Sequence, residues 1–233
     1  MRLLRLVFEM AAKFAAVVLL ISIGGCGADS YYAYEVQVRK FDAWDGPYYF
    51  QKNDLVREGD RPMYGKHDLA DDHANHSFSY YLSGMDEPVL SSLSPGVKPD
   101  QFRLTIVYSD SGPTTYRAGC EPENCWLIER VGNVRVAGWG PVTSVSETRI
   151  EIDLEGFERL FYLARTKVSC RHVPDDTVGV DGSEWALEVI HKGQFCANYQ
   201  WSPHSGGWRE LLKEILIALG NDRSEVEERM KYT

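Results

Sequence analysis

Trp185-Ala186-Leu187-Glu188-Val189-Ile190-His191-Lys192-Gly193-Gln194-Phe195-Cys196-Ala197-Asn198-Tyr199-Gln200-Trp201 decides the fold class. Side chains alternate across a strand, so Trp185, Leu187 and Val189 share one face of the first arm. Phe195, Ala197, Tyr199 and Trp201 share a face of the second. Lys192-Gly193 between two such runs predicts a two-residue turn and therefore a hairpin. Ser202-Pro203 stops the second arm, because proline has no N–H to give a ladder. Beyond it, Trp208, Leu211, Leu212, Ile215, Leu216 and Leu219 recur at helical spacing and predict an amphipathic helix from Gly207 to Leu219, with Ser205 near its start.

Upstream of the hairpin lie further strands and a second helix, with no internal repeat. Thr148 to Ile152 reads as a short strand, and Asp153 as the N-cap of a helix whose stripe is Leu154, Phe157, Leu160, Phe161 and Ala164. Trp126 to Arg130 and Val134 to Val136 read as strands on either side of a Gly132-Asn133 turn. Phe102 to Tyr108 and Thr114 to Ala118 read as another hairpin, with its turn at Ser109 to Pro113. Tyr31 to Phe41 alternates as a half-buried strand does. Asp42 to Gly96 is rich in Gly, Pro, Asp and His and reads mainly as loops, with a short strand around Phe78 to Leu82. There is no β-α-β alternation. The expectation is an α+β fold, an antiparallel meandering sheet with two amphipathic helices packed on one face.

The N-terminus carries a different message. Arg2, Arg5 and Lys13 precede an apolar run from Phe14 to Ile23, a length that suits a secretory h-region and falls short of a bilayer span. Ile23-Gly24-Gly25-Cys26 follows and resembles the lipobox of bacterial lipoproteins, although Gly24 is less usual there than Ala or Ser. The resemblance implies removal of residues 1–25 and a lipid on Cys26. Gly27, where an Asp would resemble an inner-membrane retention signal, leans towards the outer membrane or its periplasmic face. Residues 26–30 are then a short tether, 31–220 one globular domain with a loop-rich insert at 42–96, and 221–233 a charged tail.

The first 25 residues hold three basic residues and one acidic one, so the remainder stands at −11 against −9 for the whole chain. An acidic body argues against nucleic acid and permits a basic protein partner in the cell envelope. Cys120, Cys125, Cys170 and Cys196 remain after Cys26, an even count that predicts two disulfides in an exported chain. Glu121-Pro122-Glu123-Asn124 is turn-like and favours Cys120–Cys125, which leaves Cys170–Cys196.

Arg149 to Leu219 is similar to a bacterial family of exported proteins of unknown function. The likeness rests on Trp185-Ala186-Leu187-Glu188, on Trp201-Ser202-Pro203 and on the helix from Trp208. It departs at Gln200, usually basic in that family, and at Cys170 and Cys196. It implies a shared fold and carries no activity, and the tryptophans read as packing residues.

The densest polar cluster is His67-Asp68, Asp71-Asp72-His73 and His76. Imidazole and carboxylate suit zinc or copper, so His67, Asp72, His73 and His76 are the metal-ligand candidates. No metal signature fits their spacing, and a solvated loop is the plainer reading. His204-Ser205 lacks a nucleophile elbow, and Asp175-Asp176 and Glu121/Glu123 read as turn or surface carboxylates. No catalytic residue or cofactor is named. The expectation is therefore a lipid-anchored envelope protein that binds another protein, of the inhibitor or immunity type. The alternative is a metal-binding envelope protein or hydrolase built on His67, His73 and His76.

Overall fold

A computed structural model describes residues 49, 77–92, 99–108, 111–121, 124–136, 139–167, 182–203 and 206–231. All of them fall in the unit Trp44–Thr233. Residues 77–84 are helical (α1), and a 3-10 turn covers Leu90–Ser92. The strands are β1 Gln101–Tyr108, β2 Pro113–Glu121, β3 Asn124–Val136, β4 Trp139–Ile152, β5 Ser183–His191 and β6 Gln194–Trp201. Helices α2 Leu154–Tyr162, α3 Gly207–Ala218 and α4 Arg223–Arg229 complete the chain, with a π-turn at Leu163–Lys167 after α2. The six strands form one antiparallel sheet in the order β4-β3-β2-β1-β5-β6. The fold is mixed α+β, as its hairpins and helices predict.

Strand alternation divides the core between two faces. Phe102, Leu104 and Ile106 of β1, Tyr116 of β2, Leu127 of β3 and Trp185, Leu187 and Val189 of β5 cluster with the apolar stripes of α2 and α3 and with Val226 of α4. Each such side chain contributes about 1.5–3 kcal/mol when taken out of water. Val107 and Ala186, one pleat over, belong to a second cluster with Tyr49, Phe78, Tyr81 and Leu82. The stripes of α2 and α3 thus enter the first cluster and that of α1 the second, and a description with only two helices on one face does not cover α1.

Local chemistry explains the elements. Lys192 and Gly193 have φ values of 50° and 76°, both in the left-handed region that a two-residue hairpin turn requires. Asp153 Oδ1 accepts from Gly156 N at 2.7 Å, capping α2. The α3 N-cap is Gly206, and Ser205 lies outside the described residues.

Three expectations are corrected. The stretch around Phe78 to Leu82 is helix, not strand: Phe78, Tyr81, Leu82 and Met85 recur at i, i+3, i+4 and i+7 and are all buried. Gly132-Asn133 is not a turn but the interior of a 13-residue strand paired with the 14-residue β4. Gly132 serves close approach instead: a Cβ there would lie 3.1 Å from the Pro113 ring and 3.4 Å from Met85. The tail beyond Asn221 is helical because Asp222 and Glu225 form a capping box, each bonding the other's backbone N–H. Arg229 then ties α4 to the sheet, donating to Tyr116 Oη at 3.0 Å and Glu129 Oε1 at 2.5 Å.

Candidate functional site

The second face of the sheet carries charge where a core is usually apolar. The registers place Glu188, Arg103, Arg117, Ile128 and Arg149 in one row across β5, β1, β2, β3 and β4. Arg103 and Arg117 are directly opposite, an arrangement that costs free energy unless anions intervene. Glu188 flanks Arg103 from β5: Arg103 Nε donates to its Oε2 at 2.5 Å. Arg103 Nη2 is equally near that oxygen but off the hydrogen-bond direction, so it makes an ion-pair contact only.

The second anion arrives from above the sheet. After α1, Asp86 takes φ 54°, Asp86 N bonds Ser83 O at 3.0 Å and Glu87 N bonds Leu82 O at 2.9 Å. This left-handed helix ending turns the chain towards the sheet and points Glu87 into it. Glu87 Oε2 lies 3.3 Å from Arg103 Nη1 and 3.2 Å from Arg117 Nε. Its Oε1 accepts from Thr115 Oγ1 at 3.0 Å and lies 3.7 Å from Arg130 Nε. The backbone around it is held too. Arg130 Nη1 donates to Met85 O at 2.9 Å and Asp86 O at 2.8 Å, and Arg103 Nη1 donates to Pro88 O at 2.8 Å. Tyr49 Oη donates to Glu87 O at 2.5 Å, and the Arg103 guanidinium sits 5.3 Å from the Tyr49 ring centre.

The side chains of Glu87, Arg103 and Glu188 are wholly buried. With Glu147, which pairs with Arg130 at 2.7 Å, three carboxylates meet three guanidiniums. Both Glu87 oxygens are engaged, so the arrangement locks the 77–92 segment onto the sheet rather than presenting a reactive carboxylate. Beyond it, Trp126 lies flat over Gly119, where a Cβ would come within 2.5 Å of the indole. Arg117 and Arg149 sit 4.9 and 5.6 Å from its ring centre. Stacking on guanidinium adds attraction to the packing there.

An Asp–His pair lies at the β5–β6 turn. His191 Nδ1 is 2.9 Å from Asp100 Oδ2, and Lys192 N donates to Asp100 Oδ1 at 2.8 Å. His191 Nε2 faces Arg165 Nη1 at 2.8 Å. A guanidinium only donates, so Nε2 accepts and Nδ1–H donates to Asp100. In a catalytic triad Nε2 would face a nucleophile. Here that place holds an arginine, and the pair pins the hairpin turn to the start of β1.

Buried phenols make the folded domain sensitive to alkali. Burial pushes the Tyr49 hydroxyl up to about 12 from its ordinary 10.0, and burial also raises Tyr81 and Tyr116. The folded state therefore prefers the neutral phenol. The resulting stability is complete below pH 10 and is lost as pH rises through about 12. We expect phenolate absorbance of these residues to appear together with loss of near-ultraviolet circular dichroism, not ahead of it. Titration of all tyrosines before any unfolding would contradict this.

Among the residues singled out in the sequence, Cys120 and Cys125 are joined across β2 and β3 with Cα atoms 4.0 Å apart. Cys196 is also disulfide-bonded, half-buried beside the first cluster. Its expected partner Cys170 lies outside the described residues, as do Cys26, the strand at 31–41, and His67, Asp72, His73 and His76. Among the described residues no group of His, Cys, Asp and Glu is arranged to hold a metal, and no helix is long and apolar enough to cross a membrane. The buried network escaped the sequence reading because Arg103, Thr105 and Glu188 occupy the polar positions of alternating strands, which ordinarily face water. No protein family, curated protein or solved structure matches this chain.

Proposed function

We propose that this chain is a lipid-anchored domain of the bacterial envelope, held by Cys26, that binds a basic envelope protein without catalysing a reaction. The observation that carries the reading is the Cys120–Cys125 bond. Disulfides persist in oxidising compartments, which is where a leader ending in Ile23-Gly24-Gly25-Cys26 would deliver the chain. The chemistry of the described polar groups supports the non-enzymatic part. Glu87 is neutralised by arginines, and His191 is turned towards Arg165 instead of a nucleophile. The net charge of −11 after residue 25 supports a basic partner, since such a surface steers cations inward.

The test has two arms. Full-length protein should take up labelled fatty acid and fractionate with membranes, and Cys26→Ser should lose both properties. Pull-down from solubilised envelopes should enrich a basic protein at low salt and less of it at moderate salt, as screening predicts. Unchanged labelling of Cys26→Ser would sink the anchor, and an enriched set without basic proteins would sink the partner.

A further inference from the structure

Strand β4 ends the sheet, and among the described residues nothing pairs with its outer side. Residues 143–149 are all exposed, including Val145 at 39%. The other edge, β6, is shorter and mostly half-buried, with Ala197 and Tyr199 packed against the second cluster. An open edge is a template for another strand, and proteins usually blunt it with proline, bulges or charge of one sign. From Ser144 to Ile152 there is no proline, the β3–β4 irregularity that skips Thr143 of β4 lies just before this run, and the charges are of both signs.

The order of those charges selects the strand that fits. Glu147 and Arg149 flank Thr148 and share a face. An antiparallel copy of β4 with its two-fold axis at Thr148 sets Glu147 opposite Arg149 of the second copy, twice over, along the nine residues 144–152. An axis at Glu147 or Arg149 sets like charges opposite. An axis at Ser146 pairs no charges and draws Pro141 into the ladder, where it has no N–H to give. An axis at Ile150 also pairs Arg149 with Glu151, but it leaves an overlap of only the five residues 148–152. Glu147 already meets Arg130 through Oε2, but a carboxylate accepts several donors and this one is 40% exposed.

We propose that β4 is a self-association edge, pairing antiparallel with β4 of a second copy about an axis at Thr148 to give a closed two-fold dimer. The pairing uses β4 alone and depends on neither the lipid nor any other protein.

Full-length protein carrying Thr148→Cys, oxidised in membranes, should run mainly as a dimer on a non-reducing gel, since facing Cβ atoms of a pair lie about 4.5–5.5 Å apart. Ser144→Cys should give no dimer, because the two copies of that residue would be about 26 Å apart. Sedimentation of the full-length chain in detergent gives the second readout. Arg149→Glu should weaken association about tenfold by setting Glu against Glu, and E147R/R149E should restore it with the charges exchanged. Monomeric Thr148→Cys overturns the proposal, whether the edge is then free, covered by another segment of this chain or taken by a different protein. Equal cross-linking at both positions, or no rescue in the double reversal, overturns the register.

Discussion

Glu87→Gln is expected to cost about 3–5 kcal/mol of stability, read as a fall in the urea midpoint. The glutamine keeps the shape and loses the charge. Arg103 and Arg117 then face each other with no carboxylate between them, and Glu188 pairs only with Arg103 from the far side. Removing one member of a buried ion network leaves the others uncompensated, and that loss exceeds what the intact network contributed. The damage should concentrate at the 77–92 segment, because Glu87 is its anchor into the sheet. Amide exchange in α1 should therefore rise more than exchange in β5, if the domain remains folded. A cost below 1 kcal/mol would mean that water already screens the arginines, contrary to the wholly buried side chains found here.

Trp185→Ala is the other large effect, again about 3–5 kcal/mol. Trp185 is fully buried, packs edge-to-face on Trp208 with ring centres 6.2 Å apart, and donates from Nε1 to Ser183 Oγ at 2.7 Å. Truncation opens a cavity between β5 and α3 and removes a partner of the buried Ser183. Trp201 is only half-buried, and Trp201→Ala should cost clearly less in the same denaturation series. Equal costs would mean that the two tryptophans share the load, and the Trp185–Trp208 contact would lose its central place.

The tryptophan at 185 also shows what a sequence can reveal. Its role was legible because alternation in β5 and the i, i+3, i+4 spacing of α3 both point inward, and the facing surfaces are apolar. The Lys192-Gly193 turn and the Asp153 cap were legible for a related reason: their chemistry is local, and a few neighbours determine it. The site was not legible. Period-two alternation assigns Arg103, Thr105 and Glu188 to the side opposite the core, but it cannot say what covers that side. The cover is α1, whose stripe of Phe78, Tyr81, Leu82 and Met85 is embedded in a stretch dominated by turn-forming residues. Read as strand and loop, this stretch offers nothing to bury Arg103, and Glu87, which bridges the three arginines, has the look of an ordinary surface glutamate. Gly132 misled for a complementary reason. Glycine signals a turn or a close approach with equal force, and only the neighbouring Pro113 and Met85 decide between them.

The strand order has a consequence for how the chain reaches this state. β1 to β4 pair with their sequence neighbours, so three hairpins can form as the chain emerges. β1 must wait for its other partner: Arg103 and Glu188 are 85 residues apart. Pairings between distant residues slow folding, because a long loop must close before they are rewarded. The central seam of the sheet therefore closes late, and until it does one side of β1 is an open edge. A protein threaded through a membrane from its N-terminus would present that edge before β5 had crossed. Any variant that delays β5 should be judged by its yield of folded protein as well as by the stability of the finished domain.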